Sequence, residues 1–386
     1  MKTDYEYYKK FGYEYFGPLL QKYVYWLIEN LKKEKIEKVF FLSRDGYIIK
    51  KVFDIVNNTS IKSYYFYASR RAILVPILWK LKESSEIFNI IAFNKKIKVK
   101  SFIKKVGLED YNLSELYKKY SYSENDYIEI DSLGNFTNLL EELFPLIKEN
   151  SKNEFEALKM YAQNNNFYGK VAIVDIGWFG TMQNSIENLF DEIKVYGYYL
   201  GLVPKVSNSK INATAYIFDR NENIENYNKM HYFINIFEFL FLAQHGSVKK
   251  YTNDRKSVEF YEYEYSNYVE KDIAYNIQDG AIKYIKENYQ KKLDDDEIIN
   301  NFINFFIHPN YKASKMFGMI RFNDDEFKFI ANPRSIFYYM LNPRKLKDDF
   351  IESAWRIGFF KRLIKIPFPN YQLNQILRKK FIKDKD

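Results

Sequence analysis

The sequence predicts an α/β fold, with a doubly wound, mainly parallel sheet, an inserted helical cap and a helical C-terminal region. Continuous apolar runs rich in Val, Ile and Phe are typical of strands that are buried on both faces. Stretches with helical apolar spacing separate these runs, and polar residues with glycines follow several of them. The predicted strands cover residues 36–42, 61–67, 171–174, 194–202 and 213–219.

The same alternation of patterns divides the chain into three parts. Residues 1–78 together with 169–250 form the predicted Rossmann-like α/β core. Residues 79–168 are charged and helical in pattern, which predicts an inserted cap whose Lys and Glu side chains face solvent. Residues 251–386 predict a mostly helical region that ends in a basic, aromatic segment.

The composition limits the classes of function open to the chain. Its 386 residues include no cysteine and three histidines, which excludes thiolate chemistry and disfavours a histidine-based metal site. The net charge of +9 suits phosphates or an anionic membrane surface, whereas no nucleic-acid-binding motif is present. No signal-peptide pattern and no apolar run of about 18 residues occur, so we predict a cytoplasmic protein.

The third predicted strand is followed by an acidic residue, a glycine-bearing loop and the start of a helix. Asp175 follows the apolar run and is placed to bind a sugar hydroxyl or a metal ion. Gly177, Trp178, Gly180 and Thr181 are the predicted phosphate- or substrate-binding residues, because backbone N–H groups at a helix start attract anions. The alternative is an ordinary strand-to-helix turn in which glycine supplies a positive φ.

The first predicted strand ends in a second polar cluster, Ser43 to Gly46. Arg44 can bind phosphate through two parallel hydrogen bonds, and Asp45 can act as a base or as a metal ligand. Ser43 can donate a hydrogen bond to an oxyanion. The alternative is that Ser43 or Asp45 only caps the following helix.

Paired arginines follow the second predicted strand. Ser69, Arg70 and Arg71 stand where an anion, most plausibly phosphate, would meet the edge of the sheet. The alternative is that the arginines pair with Asp45 or Asp175 and hold the loops together.

A very apolar helical segment, residues 233–242, contains one acidic residue and precedes a histidine. Glu238 needs a partner there, because an unpaired buried charge is costly. His245 lies in the Gly-Ser loop that follows and is the best placed histidine for a catalytic acid. A surface or core histidine is the alternative.

Several linked blocks resemble a conserved region of predicted hydrolases of the haloacid dehalogenase (HAD) superfamily that accompany bacterial surface-polysaccharide glycosyltransferases. The blocks are FFLSRDGYIIKKVFD, YASRRAILVP, VDIGWFGTMQ and FLFLAQHGS. The resemblance implies a role in polysaccharide assembly. The HAD nucleophile motif DxD is not present, and Ser43 stands at its nearest equivalent. A weaker likeness of layout links residues 171–181 to the ribose-phosphate loop of phosphoribosyltransferases.

Together these features predict a cytoplasmic enzyme of capsule or lipopolysaccharide biosynthesis that acts on a phosphorylated sugar or nucleotide-sugar. The reaction would be phosphate-ester hydrolysis or a glycosyl or phosphoribosyl transfer, with Asp45, Asp175 and His245 as catalytic groups. Mg²⁺ would bind Asp45 and Asp175. The alternative is a non-catalytic module that binds a phosphorylated ligand or docks a glycosyltransferase. We predict no nucleic-acid partner and at most a peripheral membrane contact through the basic C-terminal segment.

Overall fold

The structure is a computed structural model, which describes residues 4–204, 211–253, 258–291, 294–324 and 326–365. It confirms the predicted α/β fold with a parallel central sheet and a helical C-terminal region. The predicted basic, aromatic segment covers residues 335–386, and its part from residue 366 onwards lies outside the described residues.

The central sheet has five strands, all parallel, in the order β2-β1-β5-β6-β7. Three antiparallel ribbons, β3–β4, β8–β9 and β10–β11, account for the other strands of the described chain. The strands are β1 Lys38–Leu42, β2 Lys62–Phe66, β3 Lys96–Lys98, β4 Tyr127–Glu129, β5 Lys170–Trp178, β6 Lys194–Leu202, β7 Ala213–Asp219, β8 Val248–Tyr251, β9 Val258–Phe260, β10 Arg321–Asp324 and β11 Glu326–Phe329.

Helices connect the strands and build the C-terminal region. They are α1 Tyr5–Phe11, α2 Gly17–Lys33, α3 Gly46–Val56, α4 Arg70–Leu74, α5 Ile87–Ile90, α6 Val99–Lys105, α7 Ser114–Lys119, α8 Phe136–Asn164, α9 Thr181–Leu189, α10 Ile224–Met230, α11 Ile234–Leu240, α12 Val269–Asn288, α13 Asp295–Ile307, α14 Tyr311–Gly318, α15 Ile336–Leu341, α16 Pro343–Glu352 and α17 Arg356–Ile364. A π-helical turn, Gly12–Phe16, joins α1 to α2 without a break.

Helices cover both faces of the sheet, as the continuous apolar strands require. Along β1 the side chains alternate: Val39 and Phe41 join a core with α2, α3 and α12, whereas Phe40 and Leu42 join a second core with α4, α8 and α9. This alternation follows from the two-residue period of a strand. The sheet is therefore doubly wound.

The strand β5 is longer than the sequence predicts, which corrects its predicted end at residue 174. Its pairing with β1 ends at Val174, opposite Phe41, but its pairing with β6 continues to Trp178, opposite Leu202. Asp175 therefore lies within β5, one residue beyond the last pair with β1. The hydrogen bonds to β6 keep this part of the chain in the sheet where local sequence favours a loop.

Residues 79–168 combine the helices α5 to α8 with the ribbon β3–β4, and their apolar side chains extend the second core. In the C-terminal region, α12 packs on α1 and α2. Among the described residues no helix combines the length and the apolar character needed to cross a bilayer.

Candidate active site

The order of the strands reverses beside β1, since β2 lies on one side of it and β5 on the other. In doubly wound sheets, ligands bind outside the carboxyl ends of the strands at such a switch point. A cavity of about 650 Å³ opens here. Its walls come from the loops after β1 and β2, from α11 and from the C-terminal region: Arg44, Asp45, Arg70, Asn235, Glu238, Phe239, Leu242, Glu264, Tyr265, Phe322 and Asn323.

Two carboxyl groups meet beside this cavity, and one of them, that of Asp45, lines it. Asp45 follows β1 and hydrogen bonds to Asp175 of β5, although the two residues are far apart in the chain. Asp45 begins α3 but makes no capping hydrogen bond with its side chain, which excludes the simple cap. The structure therefore brings the two predicted catalytic aspartates together.

The pair holds a proton more tightly than ordinary aspartates do. Burial raises the pKa of Asp45 well above its usual value, and the charge of Asp175 raises it further against the opposing effect of Arg44 and Arg70. Burial also raises the pKa of Asp175, although hydrogen bonds from Asp45 and from the backbone N–H of Ile176, at 2.9 Å, favour its ionised form. Asp45 is thus the proton donor and Asp175 the acceptor.

Two arginines line this cavity, and they differ in their ion pairing. Arg44 forms an ion pair with Glu264, which reaches the cavity from the segment before α12. Arg70, the first residue of α4, is exposed and has no ion pair within 4.0 Å in the described part of the chain. Its charge acts on Asp45 and Asp175 without neutralising them through contact. Arg70 is therefore the cation that remains available to an anionic ligand.

Glu238 of α11 is the most informative cavity residue outside the predicted set. Its Oε1 accepts a hydrogen bond from the indole Nε1 of Trp178 at 2.9 Å. Burial raises the pKa of Glu238, and the nearby charge of Asp45 raises it further. The sequence signal was the lone acidic residue in an apolar helix, and the structure supplies its partner.

Other cavity residues carry no sequence signal that separates them from ordinary polar surface. Asn235, Tyr265, Phe322 and Asn323 come from α11, the segment before α12 and the ribbon β10–β11. Tyr265, Phe322 and Asn323 reach the cavity only because the C-terminal region packs against the carboxyl edge of the sheet.

The predicted residues Ser43 and Gly46 shape the loop after β1. The Ser43 hydroxyl donates to the carbonyl of Ala68 and accepts from its backbone N–H, both at 2.9 Å, so it ties the β1 loop to the β2 loop. The peptide bond between Ser43 and Arg44 is cis. A Cβ on Gly46 would lie 2.7 Å from the carbonyl carbon of Phe41, so glycine allows α3 to begin against β1.

The structure does not bring Ser69 or Arg71 to the cavity. Ser69 caps α4 by accepting from the N–H of Ala72 at 3.0 Å. Arg71 points the other way and pairs with Glu154 at 2.5 Å and with Glu109 at 3.2 Å. Adjacent residues on a helix face different directions, so only one of the two predicted arginines reaches the site.

The predicted loop after Asp175 serves mainly to turn the end of β5. Gly177 and Trp178 both have positive φ, +108° and +80°, and this turns the buried indole towards Glu238 and onto the ring of Phe218. Gly180 precedes α9 with φ +63°, and Thr181 is exposed in its first turn. Of this loop, Trp178 contacts a residue of the cavity wall.

We expect Gly177→Ala to cost about 2 kcal/mol or more of unfolding free energy, from positive φ and a clash. Its Cβ would lie 2.3 Å from the carbonyl oxygen of Gly201 on β6. Gly169→Ala is the matched control, because Gly169 has φ +73° and nothing within 4 Å of its Cβ, so only strain, about 1 kcal/mol, remains. Denaturant unfolding measures both variants, and equal losses would show that the close approach to β6 contributes nothing.

His245 is not among the residues that line the cavity. Its Nε2 is 2.8 Å from the hydroxyl of Tyr65, and its Nδ1 is 2.8 Å from the carbonyl of Gly246. Burial lowers the pKa of His245, so the ring is neutral at pH 7. With Nδ1–H donating to Gly246, Nε2 accepts from Tyr65. Both ring nitrogens of His245 are thus engaged by neighbouring groups.

Within the described ranges no group of three or more His, Cys, Asp or Glu side chains is arranged to hold a metal ion. The predicted Mg²⁺ ligands Asp45 and Asp175 are adjacent as a pair, and Mg²⁺ often takes one or two carboxylates together with water and substrate phosphate.

Comparison of the chain with protein-family models gives no match, and comparison with curated proteins gives none either.

Proposed function

We propose that this chain is an enzyme that acts on a phosphorylated sugar or nucleotide-sugar by general acid–base catalysis. The observation that carries the proposal is the hydrogen-bonded Asp45–Asp175 pair at the switch point, beside Arg70, which has no ion pair with any described residue. Titratable groups whose pKa values are displaced by burial and by a specific neighbour, in a cavity, are typical of catalytic sites.

The lining of the cavity favours a ligand that carries both phosphate and hydroxyl groups. Arg70 offers a guanidinium for phosphate, while Glu238, Asn235 and Asn323 offer acceptors and donors for hydroxyls. Tyr265 provides an aromatic wall for the face of a sugar ring. The volume of about 650 Å³ lies within the range of small-molecule sites, about 300–1,000 Å³.

The pair supplies a proton and a base in one place. Asp45 keeps its proton at a pH where ordinary aspartate is ionised, and so can protonate the leaving oxygen of a phosphate ester or glycosyl phosphate. The carboxylate of Asp175 accepts the hydrogen bond of Asp45 and keeps the pKa of Asp45 raised. After Asp45 has given up its proton, the pair is the base that takes the proton lost by the attacking water or hydroxyl. If water accepts the phosphoryl or glycosyl group, the reaction is a hydrolysis. If a sugar hydroxyl accepts it, the reaction is a transfer.

The proposal includes Mg²⁺ bound at the same pair when the substrate is present. With the ion bound, both carboxyl groups would be ionised: Asp45 and Asp175 would supply two oxygens, and the ion, in place of the Asp45 proton, would neutralise charge on the substrate phosphate. The sequence resemblance supports a place in the assembly of bacterial surface polysaccharide in the cytoplasm, with a glycosyltransferase as a partner.

The ligand class is tested by calorimetric titration with a sugar phosphate, a nucleotide-sugar and phosphoribosyl pyrophosphate, with and without Mg²⁺. We expect Arg70→Ala to weaken binding of a phosphorylated ligand about 10- to 100-fold, the effect of one charge-assisted hydrogen bond. Arg344→Ala is the control, because Arg344 is exposed in α16 and does not line the cavity. Unchanged affinity in Arg70→Ala would refute the phosphate site, and binding without turnover would favour the non-catalytic module.

A further inference from the structure

The short helix α15 displays large apolar side chains that no described part of the chain covers. Phe337 is 75% exposed, Met340 72% and Leu341 83%, and Ile336 before them is 49% exposed. Single exposed apolar residues are normal, but four within six consecutive residues form a patch that requires an explanation.

The helix is nevertheless firmly seated on the protein. Tyr339 is buried; its hydroxyl donates to Oδ2 of Asp349 at 2.7 Å and accepts from the backbone N–H of Arg334 at 3.0 Å. Ser335 caps the helix by accepting from the N–H of Tyr338 at 3.2 Å. The apolar side chains are therefore presented by an anchored helix whose inner face is Tyr339.

Cations surround this patch. Residues 334–349 contain four basic residues against two acidic ones. Asp349 pairs with Arg334 at 3.7 Å and Asp348 with Lys345 at 3.9 Å, which leaves an excess of two positive charges. All four basic side chains are exposed: Arg334, Arg344, Lys345 and Lys347. Two of them, Arg344 and Lys345, follow Leu341 within four residues, in the first turn of α16.

We propose that α15 and the first turn of α16 form a surface that docks on an anionic lipid bilayer. Phe337, Met340 and Leu341 enter the headgroup boundary, while Arg344 and Lys345 meet the lipid phosphates. The occupant is a bilayer and not a protein, because the cores of protein interfaces are depleted of lysine, whereas interfacial helices combine Phe and Leu with Lys and Arg. Charge complementarity thus selects the lipid.

The test is sedimentation of the full chain with vesicles of phosphatidylcholine alone or mixed equally with phosphatidylglycerol. We expect binding to the mixed vesicles to be at least about 10-fold tighter, and to weaken as salt is added. The triple variant Phe337→Ser, Met340→Ser and Leu341→Ser should weaken it at least about 10-fold. A second variant, Arg344→Gln with Lys345→Gln, should weaken it on anionic vesicles alone, by about 5-fold per charge.

A matched control replaces two exposed tyrosines on other elements, Tyr127→Ser on β4 and Tyr275→Ser on α12, and should bind vesicles as the unchanged chain does. Near-UV circular dichroism confirms folding of each variant. The proposal is overturned if the unchanged chain does not bind anionic vesicles, or if vesicle binding is abolished only by removal of residues 366–386. It is also overturned if the patch variants change the oligomeric state of the chain in light scattering without altering vesicle binding.

Discussion

Asp45→Asn is expected to lower turnover by about 10²- to 10⁴-fold, the usual contribution of a general acid. The amide keeps the size of the carboxyl and can donate an N–H to Asp175, but it cannot deliver a proton. Asp175→Asn should give a loss of similar size, because it removes the carboxylate that accepts the hydrogen bond of Asp45 and keeps the proton on it. Steady-state kinetics with the ligand identified by titration measures both.

Asp45→Asn should also change the free energy of unfolding, and this effect can be measured without substrate. The raised pKa of Asp45 means that the native state keeps a proton that the unfolded chain releases above its ordinary pKa of about 4. The contribution of Asp45 to stability is therefore full below about pH 4 and declines as the pH rises through the folded pKa. Asp45→Asn removes this decline, so we expect it to raise the free energy of unfolding by ~1–2 kcal/mol at pH 7.

This gain should shrink as the pH is lowered towards 4, where both chains carry an uncharged side chain at this position. Asp191→Asn is the control, since Asp191 is exposed outside the cavity and should change neither turnover nor the pH profile. Denaturant unfolding across this pH range measures the free energy of unfolding of the unchanged chain and of both variants. A gain that does not vary with pH, or turnover equal to that of the unchanged enzyme, would contradict the shared-proton assignment.

Arg71→Met is expected to destabilise the protein by about 3–5 kcal/mol. Arg71 contacts Glu154 of α8, Glu109 and the carbonyl of Lys249, at 2.5, 3.2 and 2.7 Å, and so joins α4 to the helical segment and to β8. Glu154 is 5% exposed. Without the guanidinium, its charge stays buried with Asn150 as its remaining hydrogen-bond donor.

The pH dependence identifies this cause. Burial already raises the pKa of Glu154 while Arg71 opposes the rise, so loss of Arg71 raises the pKa further. The deficit of Arg71→Met should therefore narrow as the pH falls and Glu154 takes up a proton, and Glu154→Gln in the same chain should recover part of it. Lys119→Met breaks an exposed pair with Glu142 and should cost less than about 1 kcal/mol. Equal losses of unfolding free energy in Arg71→Met and Lys119→Met would show that burial of the ion pair is not the cause of the destabilisation.

The fold was largely predictable because its signals are local. The bounds of β6 and β7 agree with the apolar runs, since neither strand is interrupted by a polar residue that needs outside support. The end of β5 was not predictable, because its last residues, Gly177 and Trp178, have positive φ and stay in the sheet through their pairing with β6.

The sequence by itself determined that Asp45, Arg70 and Asp175 would follow or lie near the ends of neighbouring buried strands, because the carboxyl ends of parallel strands share one edge of a sheet. Only the tertiary structure decided which side chains face the cavity. It separated Arg70 from Arg71, paired Arg44 with Glu264, and brought Glu238 to Trp178. The physical reason is that the partners of buried polar groups come from segments far apart in the chain. Whether they meet depends on how the helices pack against the sheet.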